Sequence, residues 1–464
     1  MASSSSTERR TSLHGEWSSR FAFILAVSGS AVGLGNVWKF PYIAGENGGG
    51  AFVLFYLLCV FLVGLPVMVA EITIGRRGRR NPVATMALVG TEEGGSANWR
   101  YFGLMGVLCG ALILSFYSVV AGWATAYIFK AGSGAFIGAD AAAVGAEFDA
   151  LTSNPLVNLA WHTLFMAMTT YVVAAGVERG IEKAVRVLMP ALIALLLVLL
   201  GYSMVAGDFA GGVNFMFQPR MSELTTDGAL IALGHACFTL SVGMGAVMAY
   251  GAYLPDEHSI GKTSCLIVIA DTAIALLAGL VIFPIVFAHG LDPAIGPGLI
   301  FHTLPLALGQ LPGSTVVGTG FFVLLTFAAW TSAISIMEPG VAWLIETHHL
   351  SRKVAAWSFG VLIWLVGFLS AFSTNILSGL TFWRGTFFDN LDYVTANIML
   401  PLGAMAIVIF AGWVMSRNST ADEIDPRAGL SYRVWRFLAR FVAPVAVLLV
   451  FLDVIGVLDI WGLA

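Results

Sequence analysis

Long apolar runs, each about as long as a bilayer crossing and separated by short polar stretches, dominate the pattern of this chain. A helix needs about 20 mostly apolar residues to cross a bilayer. Such windows fall at 21–44, 51–75, 101–129, 156–177, 185–206, 228–254, 263–289, 314–345, 354–373, 393–416 and 434–457. They do not alternate residue by residue as barrel strands would, so each predicts a transmembrane helix, about eleven in all.

Composition strengthens that picture. Of 464 residues, 58% are hydrophobic and 11% charged, with a mean hydropathy of +0.86. Soluble proteins carry about 25% charged residues. Length alone would suggest about three soluble domains, but there are too few polar residues to coat them. The fold class is therefore an all-α polytopic membrane protein. A net charge of −4 lacks the basic excess that nucleic-acid binding needs. Cys59, Cys109, Cys237 and Cys265 lie in apolar stretches without CxxC spacing, so neither a zinc site nor a disulfide framework is expected. The polar, Ser-rich start, residues 1–17, has no apolar run with a small-residue cleavage site after it and reads as a tail, not a signal peptide.

Basic residues orient the spans. When loops are assigned to alternate sides, all but four of the 23 Lys and Arg residues share one side. The exceptions are Lys39, Lys130, Arg220 and Arg384. The positive-inside rule puts the N-terminus in the cytoplasm, and eleven crossings put the C-terminus outside.

Two glycine clusters interrupt spans at mid-membrane. The first span holds Gly29-Ser-Ala-Val-Gly33-Leu-Gly35-Asn36, and the sixth holds Ser241-Val-Gly243-Met-Gly245. Irregular backbone at that depth is tolerated only where it lines a cavity or binds something. If spans one to five and six to ten are two halves, the breaks fall in the first helix of each, which points to the binding site of an inverted-repeat transporter. Half-helix N-termini suit a substrate carboxylate. Freed carbonyls suit a small cation, and hard cations prefer oxygen ligands. Asn36, Thr239, Ser241, Asp271, Thr331 and Ser332 supply side-chain oxygen near the breaks.

The segment from Gly29 to Pro41 (GSAVGLGNVWKFP), with Glu46-Asn-Gly-Gly-Gly-Ala-Phe52, closely resembles the first helix and outer loop of the neurotransmitter:sodium symporter family. Phe238-Thr-Leu-Ser241, Thr331-Ser332 and Met337-Glu-Pro339 extend the resemblance. It covers nearly the whole chain and implies a short prokaryotic, eleven-helix amino-acid transporter, lacking the twelfth helix of many members. The implied fold is one transporter domain, an inverted five-plus-five repeat. Its parts are a tail at 1–17, a first half at 18–206 with helix 1 broken, a second half at 228–416 with helix 6 broken, and an eleventh helix at 434–457.

Residue by residue, the resemblance implies two sodium sites. The first uses the Ala31 carbonyl, Asn36, Thr239 and Asp271, completed by the substrate carboxylate. The second uses carbonyls of Gly29, Val32 and Ala328 with the hydroxyls of Thr331 and Ser332. The implied substrate pocket comprises Ser30, Ala31, Leu34, Gly35, Ile113, Tyr117, Phe238, Thr239, Ser241, Met244, Ser332 and Ile336. Tyr117 would donate to the substrate carboxylate and form a lid with Phe238. Gly33 stands where monoamine carriers have an aspartate, which favours an amino acid. Met244 replaces an aromatic of leucine-selective relatives, and its adaptable thioether favours a large or aromatic side chain.

The family's outer gate reads here as Lys39 with Asp392, lysine lacking the bidentate fork of arginine. Its inner gate reads as Glu346 with His14, or with Arg9 or Arg10 in its place. Gly180 and Pro190 resemble the motif that unwinds the fifth span. Chloride-dependent members have glutamine and serine where this chain has His235 and Ala275, while Tyr56 and Thr239 match. Asp271 is therefore expected to supply the negative charge, without a chloride requirement. Glu71 is expected to organise the region by hydrogen bonding and Glu338 to be structural.

These readings converge on sodium-coupled uptake of a hydrophobic amino acid in the cytoplasmic membrane. The alternatives are an ω-amino acid or methylated amine as substrate, or a sensor that binds without transporting. No nucleophile–base or metal motif of an enzyme stands at membrane depth.

Overall fold

The computed structural model describes residues 10–293, 296–454 and 456–457. Arg9 lies outside them. Among the described residues, nine helices are long and apolar enough to cross a membrane, and a bent pair makes a tenth. The bent pair is the first span: Arg20–Ala31 and Gly35–Glu46 meet at 50°. Then come Gly50–Gly78, Ala97–Gly132, Pro155–Ala174 and Val177–Ala206 as the second to fifth spans. The sixth is divided into Thr226–Thr239 and Ala246–Gly251. Ile260–Phe287, Ser314–His348, Arg352–Phe372, Phe387–Val414 and Leu430–Val454 are the seventh to eleventh. Exposed Leu, Val, Ile and Phe side chains on the outer surfaces of these helices, such as Leu58, Leu197, Val198 and Leu365, suit a lipid-facing belt.

Boundaries differ from the hydropathy windows by only a few residues at most ends. Several short helices escape a span count because they lie along the surface or between spans: Pro82–Glu92, Ala141–Thr152, Phe209–Phe217, Thr303–Gly309 and Arg417–Ile424. The first starts at Asn81, whose side chain accepts from Val83 and Ala84 N–H groups, with Pro82 in the first turn. That is a favourable N-terminus, since the cap satisfies orphan donors and proline has none to lose.

The third and eighth spans are the most deeply buried of the nine and pack against each other. The first span also packs on the eighth. Its break therefore lies inside protein, where unwound backbone finds partners.

Candidate functional site

The first helix ends at Ala31 because Val32 turns to an extended conformation (φ −71°, ψ 101°). In the sixth span the chain leaves the helix at Leu240 and re-enters at Ala246. Ser241, Gly243 and Gly245 take positive φ values of 53°, 94° and 82°. Only glycine adopts that region without steric cost, so Gly243 and Gly245 make the break feasible and Ser241 is held there by its neighbours. Its hydroxyl donates to the Ser30 carbonyl at 2.8 Å, tying the two breaks together. The Ser332 hydroxyl donates to the same carbonyl at 3.1 Å.

Glu71 of the second span holds the sixth-span break. Its carboxylate, fully buried, accepts the backbone N–H of Gly243 at 3.0 Å and of Met248 at 3.3 Å. An unwound segment leaves such donors orphaned, and Glu71 satisfies them.

The chemistry concentrates at Asp271, fully buried on the seventh span. The Asn36 amide donates to its carboxylate at 2.7 Å and to its carbonyl at 3.1 Å. The Thr239 hydroxyl lies 3.3 and 3.4 Å from the two carboxylate oxygens. The Asn36 amide oxygen accepts the Gly33 N–H at 3.0 Å. Asn36, Thr239 and Asp271 thus meet in one cluster beside both breaks, with Ala31 at the end of the first half-helix. Flanking it, the buried Tyr56 and His235 rings lie 5.5 Å apart between centroids, and neither His235 ring nitrogen has a hydrogen-bond partner.

The residues implied for the second sodium site also converge. The Thr331 hydroxyl donates to the Phe327 and Ala328 carbonyls, each at 3.1 Å. A Cβ placed on Gly29 would stand 3.2 Å from Thr331 Cβ, so the first helix meets the eighth there. The Val32 N–H donates to the Ser28 carbonyl at 2.7 Å, closing the last turn. Among the described residues no cluster of three or more His, Cys, Asp or Glu side chains could hold a metal. The oxygens gathered at the two implied sites are carbonyls, an amide, hydroxyls and the single Asp271 carboxylate.

A cavity of about 310 Å³ opens beside the first-span break. Leu34, Gly35, Tyr117 and Phe238 line its inner end, and Lys39, Trp123, Asp389 and Asp392 are also on its wall. Ser30, Ala31, Ile113, Thr239, Ser241, Met244, Ser332 and Ile336 do not line it. They are buried at or near the breaks, with Ser30, Ser241 and Ser332 joined by their hydrogen bonds. Met244 packs against Gly106, and Ile336 against Gly110, on the third span. The expected pocket residues thus divide into an accessible set and a closed set. The Leu34 N–H donates to the Tyr117 hydroxyl at 3.2 Å, leaving the phenol its own proton to donate.

The expected Lys39–Asp392 ion pair is not formed. No contact within 4.0 Å joins them, although both line the cavity. The Lys39 ammonium instead lies over the Phe238 ring, 4.4 Å from its centroid, where the ring quadrupole attracts a cation.

The basic face is closed. His14 contacts Glu346 at 2.9 Å, so histidine occupies the place the sequence left between His14, Arg9 and Arg10. Arg10 pairs with Glu92. Asn81, which sequence reasoning missed, clamps the same Glu346 through its backbone N–H and side-chain amide, each at 2.8 Å. Its position before Pro82 signalled a helix cap but not this second contact. Trp17 is buried, and its indole N–H donates to the Tyr250 carbonyl at 3.1 Å. Ser18 donates to Glu182 through both backbone and hydroxyl. The fifth span is not unwound between Gly180 and Pro190: a wide turn at Val177–Glu182 runs directly into Lys183–Ala206. Docking of the tail on Glu182 accompanies this intact form.

Glu338 receives a bidentate pair from Arg352, at 2.9 and 2.5 Å, and the Tyr253 hydroxyl at 2.9 Å. This matches the structural role expected for it.

Interrupted helices converging on buried oxygen donors, with a cavity on one side and a seal on the other, define a membrane carrier. The sodium:neurotransmitter symporter family model matches residues 14–136 and 152–460. The chain belongs to that family, whose members are transporters and not enzymes. It is 40% identical over 447 residues to the sodium-dependent transporter YhdH of Bacillus subtilis, covering 96% of this chain and 98% of that one. A sodium-dependent transporter of Haemophilus influenzae is 31% identical, covering 94% and 97%. The crystal structure of MhsT in complex with L-phenylalanine superposes with a TM-score of 0.88 at 42% identity, covering 95% of this chain and 99% of MhsT.

Proposed function

We propose that the protein is a sodium-coupled symporter that takes up a hydrophobic L-amino acid, large or aromatic, across the cytoplasmic membrane. Its N-terminus lies in the cytoplasm and its C-terminus outside. Transport proceeds by alternating access, gates closing on either side so that the site faces each side in turn. The observation that carries the reading is the meeting of both helix breaks with one buried carboxylate, Asp271, close to a cavity lined by Leu34, Gly35, Tyr117 and Phe238. MhsT, so similar in fold, was crystallised with L-phenylalanine, which supports the substrate class.

In this reading Asn36, Thr239, Asp271 and the Ala31 carbonyl hold one sodium ion together with the substrate carboxylate. Gly29, Val32, Ala328, Thr331 and Ser332 hold the other. Tyr117 donates its free proton to the substrate carboxylate. Opening the basic face requires the tail to leave Glu182 and Glu346, after which the fifth span can unwind between Gly180 and Pro190. Because Asp271 supplies negative charge beside the first ion, chloride is not required.

The test is uptake into proteoliposomes under an imposed sodium gradient, screened across the twenty amino acids with chloride or gluconate. Accumulation of the substrate, with competition by leucine, tyrosine or tryptophan in either anion, is expected. Failure of all three to compete overturns the substrate class, and sodium-dependent binding without accumulation makes the protein a sensor. Loss of uptake in gluconate would assign Tyr56 and His235 to an anion instead.

Two substitutions probe the roles separately. Tyr117→Phe is expected to weaken substrate binding roughly tenfold or more, since a hydrogen bond to a charged group contributes about 1.5–3 kcal/mol. Equal affinity in equilibrium binding removes the carboxylate role. Thr331→Ala with Ser332→Ala is expected to raise the sodium concentration needed for half-maximal binding by roughly tenfold, two oxygen ligands being lost. An unchanged sodium titration refutes the second site.

A further inference from the structure

Away from the breaks, a second and larger cavity of about 1020 Å³ lies between the basic-face ends of the second, seventh and eleventh spans. Its two zones differ in chemistry. The deep zone is apolar, formed by Phe61, Leu65 and Val69 of the second span, Cys265 of the seventh and Val434 and Leu438 of the eleventh. Phe61 and Val434 are also exposed on the outer surface, so the trough opens sideways toward lipid. The mouth is polar and carries Glu257, Ser259, Lys262, Asp422, Asp425 and Ser431.

The walls are fixed in place. Trp435 donates its indole N–H to the Pro66 carbonyl at 3.1 Å, joining the eleventh span to the second. Arg76 closes the head of the trough, pairing with Glu423 at 2.7 Å and donating to the His258 carbonyl at 2.6 Å. Its charge is thereby committed to protein. Asp256 is likewise paired, with Arg79.

Dimensions and charge then select an occupant. From Phe61 to Arg76 a helix rises about 22 Å at 1.5 Å per residue. One leaflet contributes about 15 Å of hydrocarbon, half of a 30 Å core, so the trough spans an acyl chain and the headgroup above it. After the Arg76–Glu423 and Arg79–Asp256 pairs are set aside, and with both Asp425 oxygens accepting the Arg427 and Gly429 backbone N–H groups, the mouth offers two carboxylates, Glu257 and Asp422, against one ammonium, Lys262. An anionic lipid would bring its phosphate against that acidic excess. A zwitterion with a hydrogen-bonding ammonium answers both signs: its amine meets Glu257 and Asp422, while its phosphate meets Lys262 and the serine hydroxyls. A quaternary choline head has no N–H to donate to the carboxylates.

We propose that this trough is a binding site for an aminophospholipid of the phosphatidylethanolamine type, acyl chain against Leu65, Val69 and Cys265 and headgroup between Asp422 and Lys262. The site stands apart from the transport residues, and its occupancy is independent of the substrate reading.

The test uses the purified full-length protein, delipidated in detergent and titrated with dioleoyl-phosphatidylethanolamine, -phosphatidylcholine or -phosphatidylglycerol under native mass spectrometry. One phosphatidylethanolamine is expected to bind per protein, at least fivefold more tightly than the other two. Glu257→Gln with Asp422→Asn is expected to erase that preference. Cys265→Trp, which fills the apolar trough, is expected to reduce binding of the preferred lipid at least fivefold, with intrinsic-fluorescence melting confirming that both variants are folded. Equal affinity for the three lipids, tighter phosphatidylglycerol binding, or an ethanolamine preference that survives the carboxamide substitutions overturns the proposal. So does unchanged affinity in Cys265→Trp, which would place the bound lipid elsewhere on the belt.

Discussion

Asp271→Asn is expected to weaken sodium-dependent substrate binding by roughly thirtyfold, about 2 kcal/mol at 1.4 kcal/mol per decade. The carboxylate is buried and is held by the Asn36 amide and the Thr239 hydroxyl at the junction of both helix breaks. Two unit charges about 4 Å apart interact by about 4 kcal/mol at an effective dielectric constant near 20. Asparagine keeps an oxygen dipole for the ion and loses the charge, so roughly half of that is expected to disappear. Glu71, which holds the neighbouring break, is untouched by the substitution, and the fold should persist. A sodium titration of substrate binding, with melting as a control for folding, reads the effect. Unchanged sodium affinity removes Asp271 from the ion site, whereas a newly acquired chloride dependence would support its role as the resident negative charge.

Arg352→Ala is expected to destabilise the protein by about 3–5 kcal/mol, the cost of leaving one member of a buried ion pair uncompensated. Glu338 is fully buried and loses both guanidinium contacts, keeping only the Tyr253 hydroxyl. The double change Glu338→Leu with Arg352→Met is expected to recover most of the loss, because an apolar pair of similar volume often replaces a buried ion pair at little cost. Recovery stays incomplete because the Tyr253 hydroxyl loses its acceptor. Thermal unfolding of the purified protein in detergent measures both variants. A single substitution as stable as wild type, or a double variant less stable than the single, contradicts this account.

The spans were legible in sequence because bilayer crossing imposes a length and a polarity on contiguous residues. The breaks were legible for a similar reason, since Gly243 and Gly245 are the residues that positive φ demands. Asp271, Asn36 and Thr239 could be grouped in advance only through the family resemblance; elementary chemistry alone placed them among six oxygen-bearing side chains near the breaks. What remained hidden depends on which side of the molecule is closed. No local pattern tells whether Lys39 reaches Asp392 or rests on Phe238, or whether the fifth span is wound. Both follow from how distant segments are docked. The partner of Glu346 was equally obscure, because His14 and Asn81 reach it from separate segments, far from it in the sequence. The surface helices escaped because their apolar faces are short and their caps, such as Asn81, look like ordinary turn signals.

Gly33 sets a boundary on how this carrier could change its cargo. A Cβ at that position would stand 2.9 Å from the Tyr117 hydroxyl and about 3.0 Å from Ser332, closer than real side chains tolerate. An aspartate there, as in amine carriers, requires the Tyr117 and Ser332 side chains, on the third and eighth spans, to give way. Specificity at this position is therefore an agreement among three helices. An evolutionary path, or a designer, would need concerted substitutions at Gly33, Tyr117 and Ser332, with each single step passing through a protein of strained and weakened site.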